Sequence, residues 1–156
     1  MAFQTSVKNR QAPGVEGGFA SNNPIASAPS AEAGVVAIST GVLVGRFAWL
    51  TGRVAATTGT GAPNGFIGRD LLGMITSYLA ETSMTILGGQ PVPLYSRGEF
   101  WAINNGGVAT VAGATVYANL TTGAIEVTSG GGNVATAFKF VSAVAAGELV
   151  KISTWS

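Results

Sequence analysis

The chain has 156 residues, 47% of them hydrophobic and only 10% charged, with a net charge of +1 and neither cysteine nor histidine. That length suits one domain with its own core and is short for two, and the hydrophobic share excludes global disorder. The missing residue types exclude disulfides and thiolate chemistry and remove the usual general base and the commonest metal ligand, while the scattered cations, with Lys8 and Arg10 the nearest thing to a cluster, exclude a basic stripe for nucleic acid.

Residues 1–30 carry Pro13, Pro24, Pro29 and Gly17-Gly18 among Ser/Asn spacers, and no hydrophobic period runs through them. They predict an extended N-terminal arm that stays out of the central sheet. Phe3, Val15, Phe19 and Ile25 are its isolated apolar anchors for a partner; a floppy tail is the plainer alternative. Residues 31–156 form the domain proper. Val35-Val36-Ala37-Ile38 and Val42-Leu43-Val44 read as strand covered on both sides, with bulges at Gly41 and Gly45, and the segment ends on Phe47-Ala48-Trp49. The most apolar run, Ala33 to Gly45, has 13 residues, short of the ~18 that span a bilayer. The N-terminus lacks the apolar core of a signal peptide, so no membrane partner is expected.

Residues 57–68 are a loop by composition. Residues 69–87 are ambiguous: Leu71, Leu72, Ile75, Tyr78 and Leu79 have helical spacing, while Gly73 and the β-branched residues favour strand, and the segment is assigned to strand with an irregular start. Phe100-Trp101-Ala102-Ile103 is a short strand. Ala114, Val116, Ala118 and Leu120 alternate with Thr115, Tyr117 and Asn119, the period of a half-buried strand. A turn at Thr121-Thr122-Gly123 leads into Ile125-Glu126-Val127, and Gly130-Gly131-Gly132-Asn133 is a flexible loop. Phe138 and Phe140 oppose Lys139, and Leu149 to Trp155 closes the fold with Lys151 outward. Short strands with frequent turn signals predict an all-β fold, a compact β-sandwich or small barrel.

Catalytic and metal chemistry find little to work with. The seven acids, Glu16, Glu32, Asp70, Glu81, Glu99, Glu126 and Glu148, never lie closer than 11 residues, so no local calcium loop exists, and no cofactor is expected. Gly59, Gly61 and Gly65 lack the spacing and the Lys-Ser/Thr of a phosphate loop. Arg69-Asp70 and Arg97/Glu99 read as solvated or locally paired charges. Trp49, Trp101 and Trp155 read as core or rim aromatics rather than a sugar platform.

Several stretches carry a family resemblance. Gly17-Gly18-Phe19-Ala20-Ser21-Asn22-Asn23-Pro24 and Val44-Gly45-Arg46-Phe47-Ala48-Trp49 resemble the opening of the structural cement proteins of tailed-bacteriophage capsids. The likeness continues through Gly61-Ala62-Pro63-Asn64-Gly65-Phe66-Ile67-Gly68-Arg69, Ile75-Thr76-Ser77-Tyr78-Leu79-Ala80-Glu81-Thr82-Ser83-Met84, Gly98-Glu99-Phe100-Trp101 and Val116-Tyr117-Ala118-Asn119, and so covers nearly the whole chain in order. Gly18 stands where such proteins often carry an acid, and Gly68 where they often carry a polar residue. The resemblance implies a non-enzymatic decoration protein on the outer surface of the virion head. It would lie across junctions of the major capsid protein and stabilise the shell against internal DNA pressure. It also implies a jelly-roll-like sandwich acting as a homo-dimer or trimer. The alternative is a tail or fibre component, an adhesin that binds host carbohydrate.

Overall fold

The computed structural model describes residues 14–29, 34–69 and 84–155. Thirteen short strands form among them and no helix. In chain order they are β1 (Ala26–Ser27), β2 (Val36–Ala37), β3 (Val42–Leu43), β4 (Phe47–Thr51), β5 (Val54–Ala56), β6 (Gly65–Ile67), β7 (Thr85–Ile86), β8 (Leu94–Arg97), β9 (Glu99–Ile103), β10 (Thr115–Asn119), β11 (Ile125–Glu126), β12 (Asn133–Phe140) and β13 (Leu149–Ser153). They build a six-stranded sheet in the order β1-β8-β6-β4-β5-β2, a five-stranded sheet in the order β11-β10-β12-β13-β9, and a small β3-β7 pair. Pairing is antiparallel except between β2 and β5. Neither large sheet closes on itself, so the architecture is a β-sandwich rather than a barrel.

Alternation along the strands divides the interior into two cores. Between the large sheets lie Phe47, Phe66, Phe100, Phe138 and Phe140 with Trp49, Val116, Ala118, Ile125, Val150 and Ile152. The phenylalanine rings meet edge-on or tilted, Phe47 standing 5.5 Å from both Phe66 and Phe138, the geometry that aligns ring edges with ring faces. Ala48, Ile67 and Leu94 project to the opposite side of the six-stranded sheet and form a second, aliphatic core with Val42, Val44 and Val92. β4 and β6 are therefore the strands buried on both faces. In the Val42–Val44 stretch, expected to be covered on both sides, Leu43 points outward and is 43% exposed.

Two more expectations need correction. The predicted loop 57–68 ends early, because Gly65-Phe66-Ile67 is the fully buried strand β6 between β4 and β8. Gly41 and Gly45 sit at positive φ in tight turns rather than in bulges within a ladder. The ambiguous segment 69–87 falls mostly outside the described residues; its described end contributes β7, paired with β3.

β8 and β9 form one line of chain that leaves the first sheet and enters the second at Gly98. Gly98 has φ +145°, and a Cβ there would press on the Phe100 ring at 2.9 Å. A residue with a side chain would strain the point where the chain changes sheets.

Candidate functional site

The described part of the N-terminal arm lies along this crossover. Gly17 N donates to Trp101 O (2.8 Å), Trp101 N to Gly18 O (2.9 Å), Ala20 N to Glu99 O (3.0 Å) and Ala28 N to Leu94 O (2.8 Å). Phe19 bridges Phe100, and β1 pairs with β8 through Ala26–Arg97 and Ser27–Tyr95. The same run continues past the arm, with Val92 N donating to Val35 O and Ala37 N to Gln90 O. The expectation that prolines and glycines keep the arm out of the sheet is thus corrected. Residues 17–28 supply the missing neighbour for two edge strands, whose unpaired N–H and C=O groups would otherwise demand water or another chain.

Close approach explains the small residues of this segment. A Cβ on Gly14 would run into the Trp101 indole, and one on Gly17, at φ +77°, would run into Val44. Arg69 N donates to Gly17 O at 2.7 Å, tying the arm also to the end of β6.

Two carboxylates lie along the seam, and one of them pins it. Glu99 is buried at the start of β9; its Oε1 accepts from Ser153 Oγ at 3.0 Å and its Oε2 lies 2.6 Å from Lys151 Nζ. Burial pushes this carboxyl up, but hydrogen bonds from Lys151, Ser21 of the arm and Ser153, with the Lys151 charge, outweigh it and bring the pKa down to about 2. Glu99 is therefore paired with Lys151 and not, as its sequence neighbour suggested, with Arg97. Glu16 lies among Gly45, Arg46 and Arg69, and its carboxyl is raised because desolvation exceeds the pull of the two guanidinium groups.

With the backbone held, the arm's large side chains stay outside. Val15, Phe19 and Ile25 are 54%, 50% and 46% exposed. Phe19 rests its ring 5.5 Å from Tyr95 and 5.6 Å from Phe100, and a Cβ on Gly98 would come 3.1 Å from Ile25 Cγ2. Phe19 and Ile25 thus flank the Gly98 crossover on one ridge, with Val15 a few residues up the same arm. Phe3 lies outside the described residues. Trp155, read from the sequence as a core or rim aromatic and not as an anchor, is 48% exposed beside the ridge, its Nε1 donating to Pro24 O at 3.2 Å. Among the described residues no group of three or more His, Cys, Asp or Glu side chains comes together to hold a metal.

A structure of this shape is already known: the sandwich superposes on a chain in "The capsid of Myoviridae Phage XM1" with a TM-score of 0.69, 17% identity, and coverage of 99% of this chain and 98% of that one. No curated protein sequence matches. The family model of the XM1 gp53 minor capsid protein matches residues 3–154. The chain belongs to that family. A member of the XM1 gp53 minor capsid family is a structural protein of a phage capsid and a component of the virion. The matched residues include both large sheets and the described part of the arm.

Proposed function

We propose that the protein is a non-enzymatic decoration, or cement, protein on the outer surface of a tailed-phage head. It binds across junctions of the major capsid protein and strengthens the shell, and it acts as a homo-dimer or trimer. Residues 1–30 carry the contact, with Phe3, Val15, Phe19 and Ile25 as its apolar anchors. One observation carries the reading: Val15, Phe19 and Ile25 are exposed on a backbone that is itself hydrogen-bonded along the β8–β9 crossover. Large apolar side chains exposed together cost solubility unless something covers them, and a backbone already held by hydrogen bonds lets them bind without a further ordering penalty. A fibre adhesin would need a wide aromatic platform for sugar. Trp49 is buried and Gly14 sits against Trp101, so Trp155 is the one tryptophan that is well exposed, and a single indole is not a wide platform.

The test replaces Phe3, Val15, Phe19 and Ile25 together by serine. Binding to shells assembled without the protein should fall sharply in co-sedimentation at a temperature where the variant is still folded, its thermal midpoint dropping only modestly because serine no longer covers Tyr95 and Phe100. Undiminished binding would refute the assignment of the contact to these residues.

A further inference from the structure

The ridge continues beyond the arm onto the last strand. Trp155 follows β13, and its backbone N donates to Ser153 Oγ at 2.9 Å while its indole donates to Pro24 O. Next to it, Thr154 N donates to Gly98 O at 3.1 Å and Gly98 N to Thr154 Oγ1 at 3.0 Å. The indole is therefore seated beside Pro24 and Ile25 at the crossover, in a fixed orientation, yet half of it faces solvent and it belongs to neither core. The fold does not need a tryptophan ring there.

Building on the proposed docking of the arm, we infer that Trp155 is the central anchor of the shell contact. Its ring enters an apolar recess on the capsid shell while Phe19 and Ile25 pack around it. Tryptophan dominates the energetics of well-packed interfaces because one rigid side chain buries a large area. Here its orientation is set before binding, so little rotamer freedom remains to be lost. Its only donor is already bonded to Pro24 O, so covering it strands no polar group. The occupant is the shell because family membership places the chain in the capsid, and the recess that takes the ring is apolar because Glu99 is turned inward to Lys151 and Ser153, which leaves Arg97, exposed opposite Ala26, as a charge at the rim.

Competing exposed apolar sets are poorer anchors. Val108 and Val111 lie in the connection after β9, where Val108 O accepts from the Asn104 amide, Val141 follows β12 with its backbone N donating to Lys151 O, and Leu43 and Leu87 lie by the β3-β7 pair. Both sets are aliphatic and lack an aromatic side chain held in place by hydrogen bonds.

The experiment compares wild type, Trp155→Ala, Trp155→Phe, a Phe19→Ser/Ile25→Ser double variant and Val111→Ser. Each is assayed for thermal unfolding and for affinity toward shells lacking the protein. Trp155→Ala should fold and bind roughly tenfold or more weakly, the loss expected of an interface anchor. Trp155→Phe, which keeps an apolar ring, should bind between the two, and Val111→Ser should match wild type. In protein labelled with 5-hydroxytryptophan, acrylamide quenching should fall on binding as Trp155 is covered. If Trp155→Ala binds like wild type while the arm variant fails, the inference about Trp155 is wrong and the arm reading stands. If neither variant weakens binding, or Val111→Ser alone does, both are wrong.

Discussion

Protonating Glu99 should loosen the seam between the arm and β9. Its folded pKa of about 2 lies below the usual 4.5, so its stabilising contribution is fully present above about pH 4.5 and is lost as the pH falls toward 2. Thermal midpoints measured from pH 6 downward should therefore decline across that window, and less steeply in Glu99→Gln. At pH 7 the same variant should be less stable by about 1–3 kcal/mol, since Lys151 and Ser153 lose a charged acceptor in a buried place. Glu16 has the opposite sign. Its raised pKa means that the charged form is disfavoured by folding, so Glu16→Gln should not lower the midpoint at pH 7. Asn104 is a third residue with a defined job: fully buried, it donates to Val108 O and Ala145 O and accepts from Gly106 N. Asn104→Ala leaves those groups unpaired and should cost about 1–3 kcal/mol in urea unfolding. Nothing local in the sequence shows that both neighbouring loops fold back over the Asn104 amide.

At the scale of elements, the arm is part of the fold as well as the proposed contact. Removing residues 1–28 deletes β1 and the bonds from Gly17, Gly18, Ala20 and Ala28 to β8 and β9, each worth on the order of 1 kcal/mol. It also bares the apolar faces of Phe100 and Tyr95 against which Phe19 rests. The truncated chain should show a clearly lower thermal midpoint and a tendency to aggregate through the opened edge; an unchanged midpoint would mean that these pairings contribute nothing net. Gly17→Ala tests the same seam at one point. Positive φ and the Val44 contact both oppose a methyl group, so destabilisation of about 1 kcal/mol or more is expected. Among the elements, β10 was legible from its alternating pattern, and Phe100–Ile103 from its aromatic and β-branched content. β1 was not: Ala26-Ser27 has little strand propensity and pairs because β8 offers an unfilled edge.

For the whole molecule, the scarcity of charge governs how it associates. With 10% charged residues, the proposed contact is apolar and hydrogen-bonded, so screening has little to remove. Raising salt from ~0.1 M to ~1 M, where the Debye length shrinks from ~10 Å to ~3 Å, should leave shell occupancy nearly unchanged; stripping of the protein would show a charge-driven contact instead. The proposed self-association predicts a dimer or trimer by light scattering of the purified protein, and a monomer at every concentration would count against it.

Composition and local pattern by themselves determined that this chain is all-β and carries no thiol or imidazole chemistry, because those properties depend on which residues are present and on their spacing of two along a strand. The order of motifs along the chain likewise pointed to a phage capsid family. Tertiary structure alone decided where the arm goes. Residues 17–28 carry no periodic signal, and their place is set by hydrogen-bonding groups of β8 and β9, 66 to 84 residues later in the chain. It also decided that Gly65-Phe66-Ile67 is the middle of a sheet, since burial on both faces comes from two cores built by distant strands. Finally it decided that Trp155, one apolar residue among many in the sequence, stands outside both cores beside Ile25, because its donor reaches Pro24 across the crossover.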